Sequence, residues 1–148
     1  MAEAMVSRRS NAPIWFYAVA VLAVLWNAMG AFDYVMTKTQ ADWYMASFTE
    51  DQLAYFYSFP AWSVAVWASA VWAALAASLL LLFRMKGAGM LFVVGTAGFV
   101  INTIYLYAFT PALEMMGAGG TVFNGVIFAS LLFFLWFSRF SAHKGWLR

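Results

Sequence analysis

Three side-chain amides, Asn27, Asn102 and Asn124, sit in or beside long apolar runs, and they carry most of the polar chemistry available there. An amide in an apolar medium is costly unless it is hydrogen-bonded, so each must find a partner. Asn27 shares a helical spacing with Gly30 and Tyr34, and Asn102 shares one with Gly95, Gly98 and Tyr105. Two chemistries fit this pattern. The amides can join helices to one another, at about 0.6 kcal/mol on average and up to ~2 kcal/mol per bond. Alternatively, Asn27, Tyr34, Trp62, Asn102, Tyr105 and Asn124 can form one pocket for a small polar or aromatic ligand, the rings stacking and the amides fixing its orientation.

Other chemistries lack their parts. The chain has no cysteine, which excludes thiolate catalysis, disulfides and thiolate-bound metal. Its single histidine, His143, stands beside Lys144 in a charged tail, where a solvated side chain is expected instead of a metal or haem ligand. No nucleophile–base pair or carboxylate cluster suggests hydrolysis, so no enzyme, metal or cofactor is expected. Proton-coupled transport marks itself by ionisable residues inside the membrane, and the apolar runs have none. The small multidrug exporters, also short four-span proteins, need a glutamate in their first span, and none occurs between Ile14 and Phe32. Eight basic residues scattered at segment ends form no stripe for nucleic acid.

The elements that must hold the amides are four membrane spans. Of 148 residues, 66% are hydrophobic and 9% charged, too few charges to solvate a globular surface. About 20 apolar helical residues cross ~30 Å of hydrocarbon. Four runs qualify: Ile14 to Phe32, Pro60 to Phe83, Met90 to Phe109 and Val122 to Ser138. Pro13 and Pro60 open the first two, Gly87 and Gly89 divide the second from the third, and Pro111 with Gly117 to Gly120 divides the third from the fourth. The expected fold is one all-α domain over residues 1–148, a four-helix transmembrane bundle with antiparallel neighbours.

Arg8, Arg9, Arg84, Lys86, Arg139, Lys144 and Arg148 fall on one side of this topology, and Asp33, Asp42, Glu50, Asp51 and Glu114 fall on the other with Lys38. Basic loops stay in the cytoplasm, so both termini are expected there. The rival reading of the first run is a cleaved signal peptide, with Arg8-Arg9 as a twin-arginine lookalike. Its apolar run is longer than the ~7–15 residues of a signal core, and cleavage would leave the charge pattern uneven.

Residues 33–59 form a long outer loop. Thr49-Glu50-Asp51-Gln52 has the form of a capping box, which predicts a short helix beginning near Glu50. Its Leu53, Tyr55, Phe56, Tyr57 and Phe59 suit the membrane interface, where it lies until Pro60 turns the chain inward. Asp42-Trp43-Tyr44-Met45 and Phe48 add a second aromatic patch. The loop is an aromatic belt, a lid or a docking face. In the spans, Ala65, Ser69, Ala73 and Ala77 recur every fourth residue, with Ala70, Ala74 and Ser78 alongside, and Gly95 with Gly98 offers a matching smooth patch. Close packing of the second and third spans follows.

The stretch from Asp33-Tyr34-Val35-Met36-Thr37 through Tyr44, Phe48-Thr49 and Gln52-Leu53-Ala54-Tyr55-Phe56 to Pro60-Ala61-Trp62, Val66-Trp67-Ala68 and Val71-Trp72 resembles a family of small four-span bacterial inner-membrane proteins, uncharacterised in function. Some carry names such as sugar-transporter-like. The resemblance spans roughly residues 30–84. It implies a bacterial inner membrane and transfers no functional residue. The expected role is a non-catalytic one by helix association, as an accessory or assembly subunit of a larger complex or as a homo-oligomer. The alternative is a small-solute carrier without proton coupling.

Overall fold

Apolar runs that must satisfy every backbone N–H internally become helices. The computed structural model describes residues 10–148 and contains six of them: α1 (Ile14–Lys38), α2 (Asp42–Met45), α3 (Glu50–Tyr57), α4 (Ala61–Leu82), α5 (Ala88–Phe109) and α6 (Ala112–His143). Four of these, α1, α4, α5 and α6, are long and apolar enough to cross a membrane. Arg8 and Arg9 lie outside the described residues.

The expected spans are all present, with different ends. α1 continues six residues past Phe32, because a charge ends a membrane span without ending a helix. Asp33 keeps its helical backbone and accepts a bond from Tyr44. α6 starts at Ala112, well before Val122, and only Gly117 of the glycine stretch departs from helical geometry, at φ 67° and ψ −175°. That positive φ breaks the helix at a residue without a Cβ penalty. α3 begins where the capping box predicts: the Thr49 hydroxyl accepts from the Gln52 N–H at 3.2 Å, and the Gln52 side chain accepts from the Thr49 N–H at 3.1 Å.

Three helices end in the same way. Gln40, Arg84 and Gly145 each take a left-handed conformation. The following N–H groups, of Ala41, Met85 and Trp146, reach back to Met36, Leu80 and Ser141. This double reach satisfies carbonyls orphaned at a helix end. Arg84 is a costly residue for it, since a Cβ disfavours the left-handed region by ~1–2 kcal/mol. Its guanidinium offsets that cost: Nε donates to Trp146 O at 2.6 Å and Nη2 to Ser10 O at 3.0 Å. The chain's last residues are thereby hooked onto the α4–α5 turn, where Lys86 N–H also donates to Arg148 O at 3.0 Å.

α4 is central, with α1 on one side and α5 on the other, and α6 packs on α5. Large rings close the bundle between α6 and α1, with Phe16 stacked on Phe137 at 5.7 Å. The hydrophobic core lies at the end where α1 begins and α6 finishes, where Phe16, Ala20, Ala77, Leu81, Phe92, Phe134 and Phe137 meet the buried tail residues Trp146 and Leu147.

α4 and α5 approach closely, as their small residues predict, but through a different face of α4. A Cβ on Gly95 would lie 3.2 Å from Ala70 O and 3.3 Å from Ala74, and one on Gly98 would lie 3.1 Å from Ala70 Cβ. The glycines therefore meet Val66, Ala70 and Ala74. Of the expected row, Ala77 is buried, Ala73 is half-buried, and Ala65 and Ser69 face outward. Rows four residues apart run side by side on a helix, and the glycines select the one that also leaves Ser63 inside.

Candidate functional site

Two amides are spent on serines. Asn27 Nδ2 donates to Ser78 Oγ on α4 at 2.9 Å and to Ala23 O at 2.9 Å, in a buried setting. Asn102 Oδ1 on α5 accepts from Ser63 Oγ on α4 at 2.7 Å. Ser78 stood out in the sequence only as one of a row of small residues with Ala70 and Ala74, and Ser63 did not stand out at all. The available signal was register: once neighbours run antiparallel, Ser63 and Ser78, toward the two ends of α4, lie level with Asn102 and Asn27, whereas Ser69 between them donates to Ala65 O.

These bonds sit at opposite ends of α4. Ser63 and Ser78 are fifteen residues apart, about 22 Å along a helix rising ~1.5 Å per residue. Asn27 is therefore level with the part of α4 close to Leu82, and Asn102 with the part close to Ala61. From the Asn27–Ser78 level α1 continues eleven residues to Lys38, whereas α4 extends seventeen back to Ala61, so α4 overshoots α1 on the loop side and α1 overshoots α4 at the other end.

The remaining candidates divide between these levels. Trp62 and Tyr105 meet edge to face at 4.6 Å, one turn beyond Asn102. Tyr34 leaves that neighbourhood and packs between Trp67 at 4.9 Å and Trp72 at 6.5 Å, on the α1 side of α4. Asn124 is half-buried on α6. The Phe99–Phe128 stack and the Tyr107–Thr121 hydrogen bond bracket both Asn102 and Asn124, so these two share a level across the α5–α6 contact. Trp62, Asn102, Tyr105 and Asn124 thus belong to one layer, while Tyr34 and Asn27 do not join it.

Trp62 and Tyr105 also line a shallow, wholly apolar groove of about 400 Å³ with Ile101, Ile104 and Phe109. It opens outward from the α4–α5 pair and contains no amide. Its chemistry is that of an acyl chain or another helix and offers nothing to orient a polar solute.

The long loop crosses the end of the bundle instead of lying apart from it. Gln52, whose carbonyl oxygen completes the capping box, donates its Nε2 to Met115 O at 3.0 Å. Met115 lies just before the Gly117 break, where helical carbonyls lose their partners. Tyr55 is buried and shares a 2.7 Å hydrogen bond with Thr110 in the α5–α6 turn. Burial pushes the Tyr55 phenol up, partly opposed by that bond and supported by the nearby Tyr107 and Tyr105. At the other end of the loop, Tyr44 Oη donates to Asp33 Oδ1 at 2.6 Å. Desolvation, then the bond and charge of Asp33, push the Tyr44 phenol up to about 12. The loop is clamped at both ends by tyrosines, over the layer of Trp62, Asn102, Tyr105 and Asn124.

The fold and these contacts define a multi-pass helical membrane protein. No protein-family model matches the chain, and no curated protein or solved structure matches it.

Proposed function

We propose that this protein is a non-catalytic component of a bacterial inner membrane, with both termini in the cytoplasm, acting by helix association as an accessory subunit or homo-oligomer. The observation that carries the reading is the unused face of α4. Ala61, Ala65 and Ser69 are exposed beside the exposed rings of Trp62 and Trp72, whereas Ala70 and Ala74 are filled by the glycines of α5. Small residues let a neighbouring helix approach closely in lipid, and flanking rings add contact area. The Ser69 hydroxyl is already satisfied by Ala65 O at 2.8 Å, so the face is smooth and asks for no polar partner. The dispersal of Asn27 and Tyr34 from the other four candidates also favours association over a single solute pocket.

The test is native mass spectrometry of the protein drawn from its host membrane in mild detergent. The tag belongs at the N-terminus, since Trp146 and Leu147 are buried. An assembly heavier than the 16.5 kDa chain is expected, from a second copy or from stoichiometric unrelated subunits. Ala65→Leu should dissociate it while leaving the fold intact. A monomer in both proteins, together with solute uptake in proteoliposomes, would transfer the function to a carrier.

A further inference from the structure

One face of α6 combines an open apolar track with a basic end. Gly125, Ala129, Leu132, Trp136, Arg139 and His143 follow one another at alternating steps of four and three residues, which places them in line along the helix. All six are exposed, Trp136 at 57% of its surface, and a Cβ added at Gly125 would meet no atom within 4 Å. Gly125 and Ala129 leave the far part of the track low, and the exposed Leu132 and Trp136 continue it as an apolar strip toward Arg139.

Its basic end is level with the start of α5. Ser138, beside Arg139, is 3.5 Å from the Cβ position of Gly89 in the first turn of α5. Lys144 is held one turn further on, with Nζ 5.4 Å from the centroid of the Phe140 ring. Lys86 and Arg148 are exposed nearby. Of the chain's six acidic residues, Asp33, Asp42, Glu50, Asp51 and Glu114 stand at the opposite end, and Glu3 lies outside the described residues. The carbonyl end of α6 ordinarily repels an anion, but Phe140, Ser141 and Ala142 O already accept N–H groups from Lys144, Trp146 and Gly145.

We propose that this face binds an anionic glycerophospholipid, Arg139 and Lys144 taking the phosphate and one acyl chain lying along Trp136, Leu132, Ala129 and Gly125. Charge complementarity selects the occupant. A basic end without an acidic side chain among the described residues favours an anionic head group over a zwitterionic one, and Arg offers a planar fork that fits phosphate oxygens. The apolar track beneath supplies the second contact that a free phosphate ion lacks. The site is on α6 and does not depend on the association face of α4.

The test is native mass spectrometry of the full chain in mild detergent with equimolar phosphatidylglycerol and phosphatidylcholine. Phosphatidylglycerol should be retained preferentially. Arg139→Gln should weaken that retention about fivefold, from a basic residue's worth near an anionic head group. Gly125→Leu, which keeps every charge, should weaken retention of both lipids by blocking the track. Lys38→Gln, at the opposite end, should change neither. Thermal melts of all four proteins establish that they remain folded. Equal retention of the two lipids by the wild type, or full retention of phosphatidylglycerol by folded Arg139→Gln, would overturn the site. So would a second copy of the chain bound without any lipid and lost on Gly125→Leu.

Discussion

Asn27 on α1 donates its amide to Ser78 on α4 at 2.9 Å, beside the buried Ala23, Ala74 and Ala77. The bond ties the first span to the central helix four residues before α4 ends at Leu82. Ser78 in turn donates to Ala74 O at 2.8 Å, so the pair is closed and leaves no donor for a third group. A double-mutant cycle on Asn27→Leu and Ser78→Ala, read by thermal or denaturant unfolding in detergent, should give a coupling of about 0.6 kcal/mol. Coupling indistinguishable from zero would mean the bond does not form in the membrane.

At Gly98 an added Cβ would lie 3.1 Å from Ala70 Cβ and 3.3 Å from Val66 O. Replacing Gly98 with leucine forces Ala70 and the Val66 carbonyl away, and the two helices cannot separate without losing contacts along their whole length. Gly98→Leu should cost about 1–3 kcal/mol by overpacking, whereas Ala65→Leu, on the open face, should stay within ~0.5 kcal/mol in the monomer. Equal melting temperatures for these two variants would contradict the packing described here.

Gln52 does two jobs with the two ends of one amide, accepting from Thr49 N–H and donating to Met115 O. Gln52→Glu keeps the acceptor and removes the donor, so it separates them. Hydrogen exchange should accelerate at the Gly117 break and through α3 in this variant, with the start of α3 still protected. Gln52→Ala loses both bonds and should destabilise the loop by roughly 1–2 kcal/mol.

Tyr44 provides a spectroscopic marker at the outer end of the loop. Its phenol is raised from the usual 10.0 to about 12, first by desolvation and then by Asp33. A raised phenol means that the folded state holds its proton longer than the unfolded chain. The associated stability is complete below pH 10 and is lost as pH rises through 12. Ultraviolet titration of tyrosinate should show a late component that Tyr44→Phe abolishes. Asp33→Asn should move that component toward lower pH, because a neutral amide removes the charge that opposes ionisation.

Much of the architecture follows from composition and punctuation alone. Four uncharged runs of span length can exist only as membrane helices, and short turns between them force antiparallel neighbours, so α1, α4, α5 and α6 were legible. The capping box at Thr49 and Gln52 was equally legible, since it depends on contacts within four residues. Helix ends were less so: charge at Asp33 marks where lipid stops, but the backbone needs only its own hydrogen bonds to continue to Lys38.

What the sequence by itself determined is therefore the set of helices and the small-residue faces available to them. Only the tertiary structure decided which face of α4 receives Gly95 and Gly98, since rows one residue apart are equally smooth and the choice depends on both neighbours of α4. It also decided that Asn27 and Asn102 serve separate ends of α4. Levels across a bundle depend on how far each helix overshoots its partner, and that offset is set by side-chain packing between helices, which no single segment encodes.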